Sequence, residues 1–102
     1  MIIRGGEKVY PAEVEKVLLD FNGIEDAVVI SVADPVWGEI IAAVVVAKDG
    51  PVDPAALLAH CKRHLASYRC PDRIFPRDAL PYNAGGKVDR GLLRKEYEAA
   101  QG

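Results

Sequence analysis

Two apolar segments in the middle of the chain limit most strongly what it can fold into. Ile40–Ala47 is the longest uninterrupted apolar run, and Ile24–Val32 before it contains the stretch Ala-Val-Val-Ile-Ser-Val. Because the later segment lacks polar alternation, it is typical of a strand that is buried on both faces. The residues from Asp34-Pro35 to Gly38 predict a turn or loop between the two strands.

Shorter patterns predict the other elements. Gly5-Gly6 interrupts the extended residues 1–9 and indicates a tight turn or hairpin. Helices are predicted to begin at Pro11 and directly after Asp53 and Asp89, since proline suits the first helical position and aspartate caps a helix. The apolar residues at helical spacing are Val14, Val17, Leu18 and Phe21, then Leu57, Leu58, Cys61 and Leu65, and finally Leu92, Leu93 and Tyr97.

The predicted fold class is α+β, with a small mixed β-sheet flanked by three helices and an N-terminal β-hairpin. Ile74-Phe75 indicates a short third strand, and residues 76–88, which contain proline and glycine, are predicted to be a loop. The predicted order of elements is therefore β-α-β-β-α-β-α. A chain of 102 residues, of which 50% are hydrophobic, fits a single domain.

The composition favours a cytoplasmic protein. The longest apolar run is shorter than the ~20 residues that a membrane-spanning helix needs. The first residues lack the basic segment followed by an apolar one that marks a signal peptide. Cys61 and Cys70 form neither a CxxC motif nor a disulfide framework, which favours a reducing compartment. We therefore expect no membrane span and a cytoplasmic location.

Charge is distributed unevenly along the chain. Residues 1–53 contain four basic and ten acidic residues, whereas residues 54–102 contain nine basic and five acidic ones. This asymmetry indicates either a mixed solvated surface or a second half that meets an anion such as a phosphate. The basic residues are scattered and the isoelectric point is about 5.6, so a nucleic-acid partner is not expected.

Residues 83–90, Asn-Ala-Gly-Gly-Lys-Val-Asp-Arg, contain the most informative motif. Two adjacent glycines predict a mobile loop tip from which Lys87 can reach away from the domain. A lysine ammonium suits phosphate and carboxylate oxygens and can stabilise charge that builds up in nucleotidyl transfer. A Gly-Gly-Lys loop is more often a solvated turn, and the spacing of a P-loop is absent. From chemistry alone, both interpretations of the motif stay open.

Four motifs then indicate a family. The segment 2–15, Ile-Ile-Arg-Gly-Gly-Glu-Lys-Val-Tyr-Pro-Ala-Glu-Val-Glu, resembles the glycine-glycine-glutamate segment that opens the C-terminal domain of acyl-CoA synthetases. Residues 34–39 (Asp-Pro-Val-Trp-Gly-Glu), 65–71 (Leu-Ala-Ser-Tyr-Arg-Cys-Pro) and 80–87, which begin with Leu-Pro and end with Lys, follow in the family's order. The resemblance covers essentially the whole chain, and four ordered motifs are far more specific than one.

The resemblance implies a role in a two-step reaction. A carboxylic acid and ATP give an acyl-adenylate and pyrophosphate, and the thiol of CoA then attacks to give the thioester and AMP. Residues 1–102 would be a single C-terminal lid domain that rotates between the steps. The large N-terminal adenylation domain, absent from this chain, would be its partner and would bind most of the ATP, the acid and Mg²⁺. The isolated domain is therefore expected to be inactive.

The resemblance also assigns roles to individual residues. Lys87 matches the family's catalytic lysine, which contacts the substrate carboxylate and the α-phosphate during adenylation. Gly5 and Gly6 match a loop that lines the pantetheine tunnel in the thioester step, although an ordinary glycine turn is an equal alternative. Trp37 matches a tryptophan that packs along pantetheine, and Tyr68 an aromatic residue beside the CoA adenine. Core packing is the alternative for both aromatic side chains.

Two positions depart from this pattern. Cys70 and Asp72 stand where some aryl-CoA ligases carry basic residues for the CoA nucleotide phosphates, and an acid at position 72 would repel a phosphate. Arg69 and Arg73 are neighbours that could substitute for them as contacts of the nucleotide.

Two other interpretations complete the sequence analysis. His60 and His64 lie four apart on a predicted helix, but the segment lacks further ligands, so exposed histidines are favoured and no metal site is expected. A free-standing module that binds CoA or a separate large domain is the alternative function.

Overall fold

The chain folds around a three-stranded sheet with layers on both of its faces. The computed structural model describes the backbone of residues 1–101 and the side chains of residues 1–98. The elements are β1 (Ile2–Arg4), β2 (Glu7–Val9), α1 (Pro11–Leu19), β3 (Ile24–Asp34), β4 (Gly38–Ala47), α2 (Pro54–His64), β5 (Arg73–Arg77) and α3 (Arg90–Gln101). The α+β class, the mixed sheet, the three helices and the N-terminal hairpin are thus confirmed.

The sheet has the strand order β3-β4-β5, and β1 and β2 form a separate antiparallel hairpin. Strands β3 and β4 are antiparallel, whereas β4 and β5 are parallel. The parallel pairing requires the chain to cross over between β4 and β5, and helix α2 lies in that crossover. A 3-10 helix, Ser67–Arg69, follows α2 and was not predicted.

The central strand β4 is buried on both faces, as its uninterrupted apolar run predicts. Ile41, Ala43 and Val45 belong to the cluster on the side of α1 and α2. Ile40, Ala42 and Val44 belong to the cluster on the side of α3. Successive side chains of a strand point to opposite faces, so an apolar residue at every position serves two cores.

The two layers that cover the sheet differ in size. On one face, Val14 and Leu18 of α1 and Leu57 and Cys61 of α2 are fully buried, together with residues of the β1–β2 hairpin. On the other face, Leu93 of α3 is buried, and the Tyr97 and Phe75 rings stack with centroids 4.1 Å apart. The predicted caps also form, since Asp53 accepts a hydrogen bond from the N–H of Ala55 at 3.0 Å and Asp89 one from that of Leu92 at 3.0 Å.

The prediction that Leu92 faces inward is wrong. Its side chain is 42% exposed, whereas Leu93 is fully buried. Leu93 and Tyr97 are four residues apart and share one face of α3. Leu92 precedes Leu93 by one residue, which rotates its side chain by about 100° around the helix axis. On α3, whose core contact is narrow, only one of the two adjacent leucines is therefore buried.

Strand β3 lies at the edge of the sheet, and side chains from α1 and α3 cover part of that edge. Glu15 accepts a hydrogen bond from the N–H of Val29 at 2.8 Å, and Arg90 donates to the Val29 carbonyl at 2.7 Å and to Glu15 at 3.0 Å. Arg94 donates to the carbonyl of Ser31 at 3.1 Å. These contacts fasten both helices to β3 and occupy backbone groups that another strand could otherwise pair with.

The structure also bears on the environment of the chain. Among the described residues, no helix has the length and the apolar composition needed to cross a bilayer. Cys61 and Cys70 are both buried and free. Burial raises the pKa of the Cys61 thiol to about 11, which makes it unreactive at neutral pH.

Candidate functional site

Lys87 lies directly after the turn of a narrow hairpin formed by residues 81–89, which we call the lysine hairpin. Its base is closed by a hydrogen bond from the N–H of Asp89 to the carbonyl of Pro81 at 2.8 Å and by an antiparallel bridge between Tyr82 and Val88. Nearer the tip, the N–H of Asn83 donates to the carbonyl of Lys87 at 2.8 Å. The predicted loop thus has a defined two-sided backbone pairing.

Asn83 organises the tip of this hairpin. Its side-chain oxygen accepts hydrogen bonds from the N–H groups of Gly85 at 2.9 Å and Lys87 at 3.2 Å, and its carbonyl accepts one from Gly86 at 3.0 Å. Gly86 has φ +81°, which glycine adopts without strain. The two glycines, from which a mobile tip was expected, therefore belong to a turn whose backbone is held at several points, and the remaining freedom is in the Lys87 side chain.

Tyr82 connects the lysine hairpin to the sheet. Its hydroxyl donates to Asp26 of β3 at 2.7 Å, and the other oxygen of that carboxylate accepts from the N–H of Ala27 at 2.9 Å. The hydrogen bond to Asp26 is the main reason that the pKa of Tyr82 is raised. Sequence reasoning missed Tyr82, because no local pattern indicates a contact between residues 56 positions apart. An Asn before a glycine pair is a turn signal, and it could have identified Asn83.

The Lys87 ammonium is available to an external anion. The residue is exposed, and none of the carboxylates among the described side chains forms an ion pair with it. A fixed backbone therefore presents an uncompensated positive charge at the surface.

Gly5, Gly6 and Trp37 come together at a different place, the turn between β1 and β2. Gly5 has φ +55° and Gly6 has φ +87°. A Cβ atom added to Gly5 would lie 2.9 Å from Cε3 of Trp37, whereas one added to Gly6 would meet no atom within 4 Å. Gly5 is thus required both for its backbone conformation and for the close approach of the indole ring.

The Trp37 ring is held in place although it is 49% exposed. The guanidinium of Arg4 lies over it, 4.4 Å from the ring centroid. The Trp37 backbone N–H donates to Asp34 at 2.9 Å, and the N–H of Val36 donates to the same oxygen at 2.8 Å. These two hydrogen bonds, with that from Trp37 the larger cause, lower the pKa of Asp34 below its ordinary value.

Asp72, which stands at a position where a basic residue was noted in relatives, pairs with Arg4. The Arg4 Nε lies 2.8 Å from each carboxylate oxygen and Nη2 lies 2.7 Å from Oδ1. The carboxylate is therefore neutralised by a neighbouring guanidinium, so the expected repulsion of a phosphate by Asp72 is reduced.

Arg69 and Arg73, the two arginines that could contact the CoA nucleotide in place of residues 70 and 72, differ in whether their guanidinium groups already have partners. Arg69 donates to Glu13 and, at 3.0 Å, to the hydroxyl of Tyr68, whose half-buried ring packs against the core. Arg73 is exposed and has no ion pair with any described side chain. Of the two, Arg73 is the one whose charge is available to an external anion.

The uneven charge distribution is partly explained by these pairs. Among residues 1–98, three of the four ion pairs join the two halves of the chain, namely Arg4–Asp72, Arg69–Glu13 and Arg90–Glu15. Two basic residues of the second half, Arg69 and Arg90, therefore pair with carboxylates of the first half.

We call Gly5 and Gly6 of the β1–β2 turn, with the Trp37 ring that packs against Gly5, the Trp37 turn. The lysine hairpin and the Trp37 turn belong to different layers of the domain. Leu80 and Val88 beside Lys87 pack into the cluster on the α3 face of the sheet. Ile2 and Val9, which flank the glycine turn, pack into the cluster on the α1 and α2 face. The structure brings Gly5, Gly6 and Trp37 together but does not bring them to Lys87.

Both groups stand on open surface. A depression of about 670 Å³ lies between the ends of β4 and β5 and is lined by none of the predicted site residues. His60 contacts the carbonyl of Val17 through Nε2 at 2.8 Å, and no three metal-binding side chains converge within the described part of the chain. The domain thus presents an exposed cation and, at a separate place, an exposed aromatic ring.

Comparison with known proteins identifies the family. The family model described as AMP-binding enzyme C-terminal domain matches residues 13–87. The chain is 41% identical over 99 residues to the long-chain-fatty-acid–CoA ligase FadD13 of Mycobacterium tuberculosis, and this covers 97% of the chain and 20% of that protein. It is 45% identical over 98 residues to the feruloyl-CoA synthase of an Amycolatopsis species, with 95% and 20% covered.

Solved structures agree with this result. The crystal structure of ATP-bound MatB from Rhodopseudomonas palustris matches with a TM-score of 0.94 and 33% identity, over 100% of this chain and 20% of that one. The chain therefore belongs to the family of C-terminal domains of adenylate-forming, AMP-binding enzymes. It spans about a fifth of the length of the relatives that it matches.

Proposed function

We propose that residues 1–102 are the lid domain of an AMP-forming acyl-CoA ligase, an acid–thiol ligase that activates a carboxylic acid with ATP and transfers it to CoA. The match to one fifth of two ligases whose names state acid–CoA chemistry supports this proposal. The partner would be a large N-terminal adenylation domain that supplies most of the nucleotide and acid sites.

The observation that carries the proposal is the unpaired ammonium of Lys87 on a hairpin whose backbone is held in place. In adenylation, an anionic carboxylate must approach an anionic α-phosphate. A cation placed between them stabilises the charge that develops in the transition state. Because Lys87 has no partner among the described carboxylates, it would meet its anions without first breaking an ion pair.

The thioester step would use the other layer. Gly5 and Gly6 would let a thin pantetheine chain pass close to the backbone, and the exposed part of the Trp37 ring would pack along it. Tyr68 would lie toward the adenine of CoA, and Arg73 is better placed than Arg69 to meet its phosphates, since Arg69 is engaged by Glu13. Separate layers for the two steps suit a domain that rotates between them.

ATP and CoA are the cosubstrates of this proposal. For Mg²⁺, the described residues offer no cluster of three metal-binding side chains and do not fit it, so in this proposal the N-terminal domain would supply most of its ligands. Two free buried thiols and the use of ATP and CoA support a cytoplasmic location. The alternative, a free-standing module that binds CoA, is less well supported, because each relative described above contains the match within a chain about five times longer.

The experiment is a comparison of half-reactions in the full-length ligase. A panel of fatty and aromatic acids is first screened by pyrophosphate release to find the preferred acid. Lys87→Ala is expected to slow adenylation by ~10²–10³-fold and to leave thioester formation from a preformed acyl-adenylate unchanged. Lys95→Ala, which removes another exposed lysine from the same layer, is the matched control. Equal loss in both half-reactions would refute the assignment of Lys87.

A further inference from the structure

Arg4 and Asp72 form the most extensively connected polar contact on the surface beside Trp37. The guanidinium engages both carboxylate oxygens, and the two side chains are only 21% and 20% exposed. A planar, two-pronged contact of this kind fixes the orientation of an arginine as well as its position. The hydrogen bonds to Asp72 are also the main reason that the pKa of Arg4 is raised.

Asp72 is itself attached to the central strand. Its Oδ2 accepts a hydrogen bond from the N–H of Ile41 at 2.8 Å, and its own N–H donates to the carbonyl of Ile41 at 2.8 Å. The residue thus extends the parallel contact between β4 and β5 by one position before Arg73. The carboxylate that holds Arg4 is therefore attached to the central strand β4, which is buried on both faces.

The consequence is a fixed indole ring. A half-exposed tryptophan on a turn is ordinarily free to change rotamer, but Trp37 is bounded by the guanidinium of Arg4 and by the backbone of Gly5. The Gly5 N–H also donates to the Trp37 carbonyl at 3.4 Å. The contacts therefore hold both the ring and its backbone, while part of the ring stays open to a ligand.

We propose that Arg4, anchored by Asp72, is a positioning residue that fixes the Trp37 ring against the Gly5 turn and so shapes the wall along which the thiol substrate passes. This inference rests on the proposed function, in which Trp37 and Gly5 line the path of pantetheine. Arg4 acts through Trp37 and does not bind a CoA phosphate, because its charge is already engaged by a carboxylate.

A purely structural role is the competing explanation, since the pair also joins β1 to the segment before β5. Loss of structure would impair both half-reactions and lower thermal stability. Loss of positioning would raise the KM for CoA and slow the thioester step, while adenylation, which uses the lysine hairpin on the other layer, would be unaffected. A loss confined to the thioester step is therefore the result that a purely structural role would not produce.

The test uses the full-length ligase with its preferred acid from the panel above. Arg4→Ala is expected to raise the KM for CoA about five- to tenfold and to change adenylation less than about twofold. Arg4→Lys keeps the charge but loses the two-pronged contact, so an intermediate effect is expected. Asp72→Asn keeps an acceptor for the Ile41 N–H and removes the charge that holds Arg4, so it is expected to resemble Arg4→Ala.

Two reference variants make each result decisive. Arg77→Ala breaks an ion pair with Glu96 at 2.7 Å on the other layer and should leave the KM for CoA unchanged. Trp37→Ala should raise it at least as much as Arg4→Ala does. If Trp37→Ala has the effect and Arg4→Ala does not, the inference is wrong and the proposed function stands. If neither Trp37→Ala nor Arg4→Ala affects the thioester step, or if no acid releases pyrophosphate, the inference and the proposed function are both wrong. If Arg4→Ala slows both half-reactions equally, the pair is only structural and the inference is wrong.

Discussion

The lysine hairpin and the Trp37 turn are both exposed loops, but they are held in opposite ways. In the lysine hairpin, hydrogen bonds fix the backbone around Asn83 and the Lys87 side chain is free. At the Trp37 turn, Arg4 and Gly5 also fix the side chain that would meet the ligand.

This difference corresponds to the two kinds of chemistry proposed. A cation that must reach anions on another domain needs a firm base and a mobile end. The Trp37 ring, which would pack along uncharged pantetheine, needs a fixed position, since van der Waals contact is lost when the ring moves away. The comparison predicts that changes at one loop leave the other half-reaction intact.

Adding a methyl group at Gly5 gives the largest expected effect after loss of Lys87. Gly5→Ala would place a carbon 2.9 Å from the indole ring and displace it, so the thioester step is expected to fall by ~10²-fold while adenylation is retained. Stopped-flow measurement of each half-reaction would check this.

Gly6→Ala is the matched control for Gly5→Ala. Both glycines have positive φ, so both variants carry a backbone cost of about 1 kcal/mol, but only Gly5 faces the ring. Gly6→Ala is expected to slow the thioester step less than about fivefold. Because Gly6 is itself proposed to line the pantetheine path, a Gly6→Ala effect as large as that of Gly5→Ala would mean that the turn conformation or the open path matters more than the ring contact.

Replacing Asn83 examines the lysine hairpin. Asn83→Ala removes the oxygen that accepts from Gly85 and Lys87, so the ammonium loses its fixed base and adenylation is expected to fall about tenfold. Asn83→Ser keeps a side-chain oxygen suited to such turns and should restore part of the rate. A rate for Asn83→Ala equal to that of the unmodified enzyme would show that the order of the tip is unimportant.

Tyr82→Phe should have a smaller effect. It removes one exposed hydrogen bond, from Tyr82 to Asp26, so adenylation is expected to fall about two- to fivefold. Tyr10→Phe, at a tyrosine that is 52% exposed, provides the comparison. Kinetic assays in which both variants behave alike would exclude a role of Tyr82 in holding the hairpin.

The pH dependence of the Trp37 turn should be the smallest effect. Because the folded-state pKa of Asp34 is lowered, the bonds it accepts contribute fully above its ordinary value and are lost only as the pH falls through the lowered one. The indole N–H resonance of selectively labelled Trp37 should therefore stay constant from pH 7 to about 4. A change of this resonance above about pH 4 in the unmodified protein would contradict the account.

Local patterns in the sequence predicted most of the fold. The apolar run of β4, the caps Asp53 and Asp89 and the glycine turn at Gly5-Gly6 all act through residues close in sequence, so they can be recognised from the chain alone. The 3-10 helix Ser67–Arg69 was missed because its hydrogen bonds span three residues and leave no apolar periodicity.

The connections that organise the candidate site could not be predicted in this way. Arg4 and Asp72 are 68 positions apart, and Tyr82 and Asp26 are 56 apart. From the sequence, Asp72 looked like an acid that would repel a phosphate, because nothing local indicated that an arginine of β1 would neutralise it. Ion pairs between distant surface residues depend on the finished fold, and a single sequence does not specify them.

The most direct measurement compares both half-reactions of the full-length ligase in Lys87→Ala and Gly5→Ala, assayed side by side with the same acid. We expect opposite losses: Lys87→Ala loses adenylation and keeps thiol transfer, and Gly5→Ala does the reverse. If both variants lose the same half-reaction, the two faces of this domain do not serve separate steps, and the account is wrong.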